Sequence, residues 1–158
     1  MKIYVGSDHA GFGLKEKLII YLQELSYEVE DKGAFEYNEE DDYPDFIIPV
    51  AREVSRRPNE VKAIIFGGSG QGEAMAANKF SGVRAAVYYG QGQCIVEEEN
   101  ESVIKLSREH NDANILSLGA RFITEEEMKE VVKEWLDTKF VGNERHQRRL
   151  DKMSRIHE

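Results

Sequence analysis

Cysteine is nearly missing from this chain. Cys94 is alone among 158 residues, so no internal disulfide can form and a secreted, disulfide-stapled scaffold is excluded. Long apolar runs are also lacking. No segment approaches the roughly 20 apolar residues that span a bilayer, and the opening MKIYVGSDHAG is too short an apolar stretch for a signal sequence. A cytoplasmic location is the resulting expectation. Positive charge is in deficit, with 21 Lys and Arg against 30 Asp and Glu and a formal net charge of -9. Such a chain repels polyanions, so neither nucleic acid nor an acidic membrane is expected as a partner. Any anion it binds must be held by a local cationic patch. No pair among His9, His110, His146 and His157 has metal-ligand spacing and Cys94 offers no partner, so no metal is expected. Repeats, linkers and low-complexity segments are absent, and the length suits one core, so a single domain over 1–158 is expected.

What is present is an alternation of strand and helix patterns. Residues 2–7 read as a strand, and Leu14, Leu18, Leu22 and Leu25 then recur at helical spacing. Residues 27–31 suggest a second strand. The stretch 36–45 carries six carboxylates in ten residues and reads as a solvated loop, because its spacing is not that of a calcium loop. Pro44 suits the first turn of a second helix with Phe46, Ile47, Val50, Ala51 and Val54 inward, and Pro49 predicts a kink or a late start. Further strands are predicted at 63–66, 83–89 and 115–118. Thr124 to Glu127 matches a capping box ahead of Met128, Val131, Val132, Trp135 and Leu136 on one helical face. A basic helix closes the chain over 143–157. The alternation predicts a three-layer α/β/α domain around a parallel, Rossmann-like sheet of about five strands, with a C-terminal helix.

In such sheets ligands sit beyond the carboxyl ends of the strands. Ser7-Asp8-His9, the loop Gly67-Gly68-Ser69-Gly70-Gln71-Gly72-Glu73 and Gly119-Ala120-Arg121 all fall at such ends. The glycine loop lets backbone amides approach an oxyanion and feeds a helix N-terminus. It is neither a dinucleotide fingerprint nor a phosphate loop, because Glu73 stands where the latter needs lysine. A carboxylate beside an oxyanion cradle is what proton abstraction next to a carbonyl requires. Glu73 as a first-turn residue favoured by the helix dipole remains equally open by spacing. Burial would raise its proton affinity and the helix N-terminus would lower it, an opposition the sequence does not decide. Arg145, Arg148 and Arg149 lie at i, i+3 and i+4, which makes either a guanidinium face for a phosphate or a solvated basic tail. Asp8 also reads as a helix cap, and His110 as a surface histidine.

Six segments, GSDHAGF at 6–12, DDYPDF at 41–46, GGSGQGEAMAANK at 67–79, GVRAAV at 82–87, SREHNDANILSLGAR at 107–121 and RHQRR at 145–149, resemble the ribose/galactose isomerase family in order and over nearly the whole chain. The family divides between a cysteine base just before the glycine loop and a glutamate base within it. Here Gly67 occupies the cysteine position. The resemblance therefore implies Glu73 as the base, with Asp8, His110 and Ser69 in the catalytic set. It implies Gly68, Gly70, Gly72 and Asn111 as enediolate and substrate binders, and His9, Arg121, Arg145 and Arg149 as phosphate binders. The implied activity is aldose–ketose isomerisation of ribose 5-phosphate and ribulose 5-phosphate through a cis-enediolate, without cofactor or metal. It also implies a homodimer or dimer of dimers with shared sites. A six-carbon sugar phosphate such as allose or galactose 6-phosphate is the alternative substrate, and a non-catalytic sugar-phosphate binder the alternative class. One segment departs from the pattern: 90–106 forms an acidic insertion just before His110.

Overall fold

The strands β1 (Lys2–Ser7) and β3 (Val61–Gly67) form because their runs of β-branched and aromatic residues are fully covered. With β2 (Glu28–Asp31), β4 (Ala85–Tyr88) and β5 (Ile115–Gly119) they build one sheet in the order β2-β1-β3-β5-β4, every pairing parallel. The computed structural model describes residues 1–90 and 102–157, and the acidic insertion lies mostly outside them.

Helices cover both faces of the sheet. On one face α1 (Phe12–Glu24), α4 (Val103–Glu109) and α5 (Glu125–Asp137) bury Leu18, Leu22, Ile104, Met128, Val132 and Trp135 against Ile3, Val5, Ile64, Phe66, Leu116 and Leu118. On the other, α2 (Tyr43–Arg56) and α3 (Gln71–Ala77) bury Ile47, Val50, Val54 and Ala77 against Tyr4, Ala63, Ile65 and Ile115. Because strand side chains alternate between faces, β3 supplies both cores. Each fully covered aliphatic side chain contributes about 1.5–3 kcal/mol. The last helix, α6 (Glu144–Ser154), followed by a 3-10 turn at Arg155–His157, stands largely outside these layers, with His146 its one buried residue.

Three local expectations are corrected. α2 does not start late: it begins at Tyr43 and continues through Pro49 to Arg56. The backbone acceptor that Pro49 leaves unpaired belongs to exposed Asp45, where water can reach it. In α1 the buried stripe is Lys15, Leu18 and Leu22, while Leu25 is exposed. Buried Lys15 is held by Asp31 at 2.5 Å and Glu16 at 2.9 Å. Finally, α4 has no counterpart in the sequence reading. Only Ile104 and Arg108 of its residues are buried, so it offers no apolar stripe, and it is held by the Ser102 cap and by Arg108 bonding Asp112 and the Ala113 carbonyl.

Candidate functional site

The chain leaves β1 toward β2 on one side and later enters β3 on the other, so the strand order turns between β1 and β3. Their carboxyl ends lie side by side, Ser7 paired with Phe66. This is where parallel sheets open a crevice, and the chain delivers Asp8 and the glycine loop into it.

The loop's shape is fixed by contacts that only glycine tolerates. Gly70 has φ +76 and caps α3, and its carbonyl accepts from buried Ser117 of β5 at 2.6 Å. Gly67 hydrogen-bonds onward to the Ala120 amide at 2.9 Å. A Cβ at Gly67 would lie 1.8 Å from Glu73 Oε1, so the glutamate carboxylate occupies the space that a side chain at 67 would take. A side chain at position 67 would therefore displace the Glu73 carboxylate from where it now sits. Tyr43 packs against Gly72, and the Arg121 guanidinium lies over Gly68.

Glu73 is 4% exposed and Asp8 7%. Burial pushes the Glu73 carboxyl above its ordinary value; its own backbone N–H opposes this, and Asp8 adds to it. The opposition left open by the sequence is thus decided in favour of burial. Asp8 is likewise raised by burial and by Asp41, against lowering by His9 and by the Gly11 and Ala10 amides. Its Oδ1 accepts from the Ala10 amide at 3.0 Å, a turn contact just ahead of α1. His9 is gripped by Asp41, whose Oδ1 meets its backbone N–H at 3.0 Å and its Nδ1 at 2.6 Å. Asp8, His9 and Asp41 bring three potential ligand atoms within 4.8 Å of one another, but His9 Nδ1 is already spent on Asp41.

The structure does not bring all the expected residues together. Asp8, His9, Gly68, Ser69, Gly70, Gly72, Glu73 and Arg121 gather at the carboxyl edge. His110 and Asn111 follow α4 and precede β5, beside Asp112 and Asn114, which bond Arg84, Pro58 and Gly82 at the amino edge. The five residues of β5 separate the two edges, about 16 Å at 3.3 Å per residue. At the amino edge the His110 ring stacks on His146 at 4.1 Å, and exposed Arg145 and Arg149 flank His146 on α6. A cleft of about 400 Å³ between α6 and the β4 edge, lined in part by Asn111, Leu150 and Met153, also lies at this edge and away from Glu73.

Three residues of the two clusters carried no assigned role in the sequence: Asp41, Tyr43 and His146. Asp41 and Tyr43 belong to the motif DDYPDF and His146 to RHQRR, which was the available signal. Nothing in their spacing reported what they touch.

A parallel sheet with a glycine turn and a buried carboxylate at the point where its strand order reverses defines an α/β protein that handles a small anionic ligand. The sequence model of the Ribose/Galactose Isomerase family matches residues 3–153, and the chain belongs to that family. It is 38% identical to ribose-5-phosphate isomerase B of Mycolicibacterium paratuberculosis over 151 residues, 96% of this chain and 88% of that protein. With the Escherichia coli ribose-5-phosphate isomerase B it shares 39% identity over 156 residues, covering 98% and 95%. Among solved structures, the Mycoplasma genitalium ribose-5-phosphate isomerase B with bound ribulose-5-phosphate superposes with a TM-score of 0.88 at 36% identity, covering 99% of this chain and 95% of that one.

Proposed function

We propose that this chain interconverts ribose 5-phosphate and ribulose 5-phosphate, and that Glu73 is the base. The observation that carries the assignment is the buried Glu73 carboxylate, seated against Gly67 at the mouth of the amide-lined loop. A carboxylate with raised proton affinity is a better base near neutrality than a solvated one. On the open-chain aldose, Glu73 removes the C2 proton, and the electron pair moves to O1 as a cis-enediolate. The amides of Gly68, Ser69, Gly70 and Gly72 line the loop on which that charge rests. Asp8 serves as hydrogen-bonding partner while the hydroxyl proton passes from O2 to O1, and Glu73 returns its proton to C1. His9 and Arg121 stand at the same edge for the phosphate.

The amino-edge cluster completes this site only from a second copy. His110 for ring opening, Asn111 for the enediolate and Arg145 and Arg149 for the phosphate belong to the amino edge, which the length of β5 separates from the carboxyl edge that holds Glu73. Both edges carry exposed apolar side chains, Met75 and Phe122 at one, Val141, Met153 and Ile156 at the other, suited to covering by a partner. We therefore read the working unit as a homodimer in which each site draws its base from one protomer and its arginines from the other.

The test is Glu73→Gln. Its kcat with ribose 5-phosphate should fall by about 10²–10⁴-fold, and exchange of the C2 hydrogen in deuterated water should stop. Near-normal turnover would refute the base assignment. Parallel assays on allose and galactose 6-phosphates separate five-carbon from six-carbon use.

A further inference from the structure

We propose that Asp41 is a positioning residue for phosphate recognition: by accepting from Nδ1 it fixes the orientation of the His9 imidazole and leaves Nε2 facing outward, where the ring that carries hydrogens on both nitrogens donates Nε2–H to the substrate's phosphate. The proposal rests on the isomerase reading above and adds to it a residue from the acidic loop at 36–45, whose charge run alone predicts only solvation.

Asp41 departs from that prediction. Its side chain is 8% exposed, and Oδ1 takes two donors from one residue, the His9 backbone N–H at 3.0 Å and the ring Nδ1 at 2.6 Å. A carboxylate oxygen can only accept, so Nδ1 must carry a hydrogen. Nε2 is then the single ring nitrogen free for a ligand. Gripping backbone and ring together fixes both the position of residue 9 and the direction of its imidazole. The Tyr37 ring, from the same loop, stands edge-on at 6.4 Å and limits how far the imidazole can swing.

The other oxygen of the carboxylate carries a cost. Asp41 Oδ2 is buried with no hydrogen-bond partner among the described residues, and burying an unsatisfied polar oxygen costs free energy. It also stands near Asp8, whose proton affinity it raises. A loop carboxylate held at this cost against His9 stands where the outer partners of functional histidines stand elsewhere.

The experiment measures ribose 5-phosphate kinetics, competitive inhibition by inorganic phosphate, calorimetric binding of inorganic phosphate, and melting temperature. Asp41→Ala should raise KM and weaken phosphate inhibition together by about fivefold or more and leave kcat within about twofold. Asp41→Asn keeps an accepting oxygen and should stay within about twofold of wild type. Added to His9→Ala, Asp41→Ala should change neither constant further, because it acts through His9. Unchanged constants in Asp41→Ala would overturn the proposal. So would an equal further loss in the His9→Ala background, or a fall in melting temperature matched by a fall in kcat. Should the wild type fail to isomerise ribose 5-phosphate, the functional reading fails instead, and calorimetric phosphate binding still reports on Asp41.

Discussion

At the level of single residues, the chemistry turns on how one carboxyl group is held. As the proposed base, Glu73 must be ionised to take a proton, and burial raises it above its ordinary value of 4.5. Activity is therefore lost as pH falls through that raised value, and the acid limb of the kcat/KM profile should lie above 4.5. A limb at or below the ordinary value would show that the carboxylate is solvated in the working enzyme. Gly67 is the residue that makes room for it. In Gly67→Ala the new methyl would collide with the carboxylate at 1.8 Å, so Glu73 must move. Displacement of a reacting group by about 1 Å can cost about a hundredfold. Steady-state kinetics on Gly67→Ala should show a loss of that order, with the melting temperature little changed. The same residue illustrates what the sequence carries and what it omits. GGSGQGE singled out Glu73 as the candidate base, but that Glu73 and a side chain at 67 compete for one volume became visible only with the backbone closed around them.

Among the elements, legibility followed the strength of the apolar pattern. α5 was readable because Met128, Val131, Val132, Trp135 and Leu136 form a stripe behind a recognised cap. The cap itself is half of what the motif suggests: Thr124 accepts from the Glu127 amide at 3.2 Å, while the Glu127 carboxylate is taken by the Tyr88 hydroxyl at 2.7 Å. Thr124→Ala should accordingly cost about 1 kcal/mol in chemical denaturation and leave kcat unchanged. A loss of activity at preserved stability would place that helix end in the site. α4 was unreadable for the opposite reason, since its anchor is polar: Arg108 reaches the Thr138 and Ala113 carbonyls and Asp112. The acidic loop was misread in part because a charge run usually faces water, whereas Asp41 turns inward to His9 over a separation of 32 residues. No local pattern reports a contact of that range.

For the whole molecule, the sheet order was beyond the sequence but the alternation of strands and helices was not, and the alternation was enough to place three motifs at strand carboxyl ends. It gave no hint that His110 and the α6 arginines would end at the other edge. That division follows from chain direction: α4 runs toward the amino end of β5, and α6 follows a helix that has run back from the carboxyl edge. If each site is assembled from two copies, inactive variants with defects in different halves should repair one another. Unfolding and refolding Glu73→Gln together with the double variant Arg145→Ala/Arg149→Ala gives mixed dimers with one intact and one doubly defective site. With random pairing, half the dimers are mixed and about a quarter of wild-type isomerase activity should return. Mixed dimers verified by mass that convert no ribose 5-phosphate would contradict a site shared between protomers.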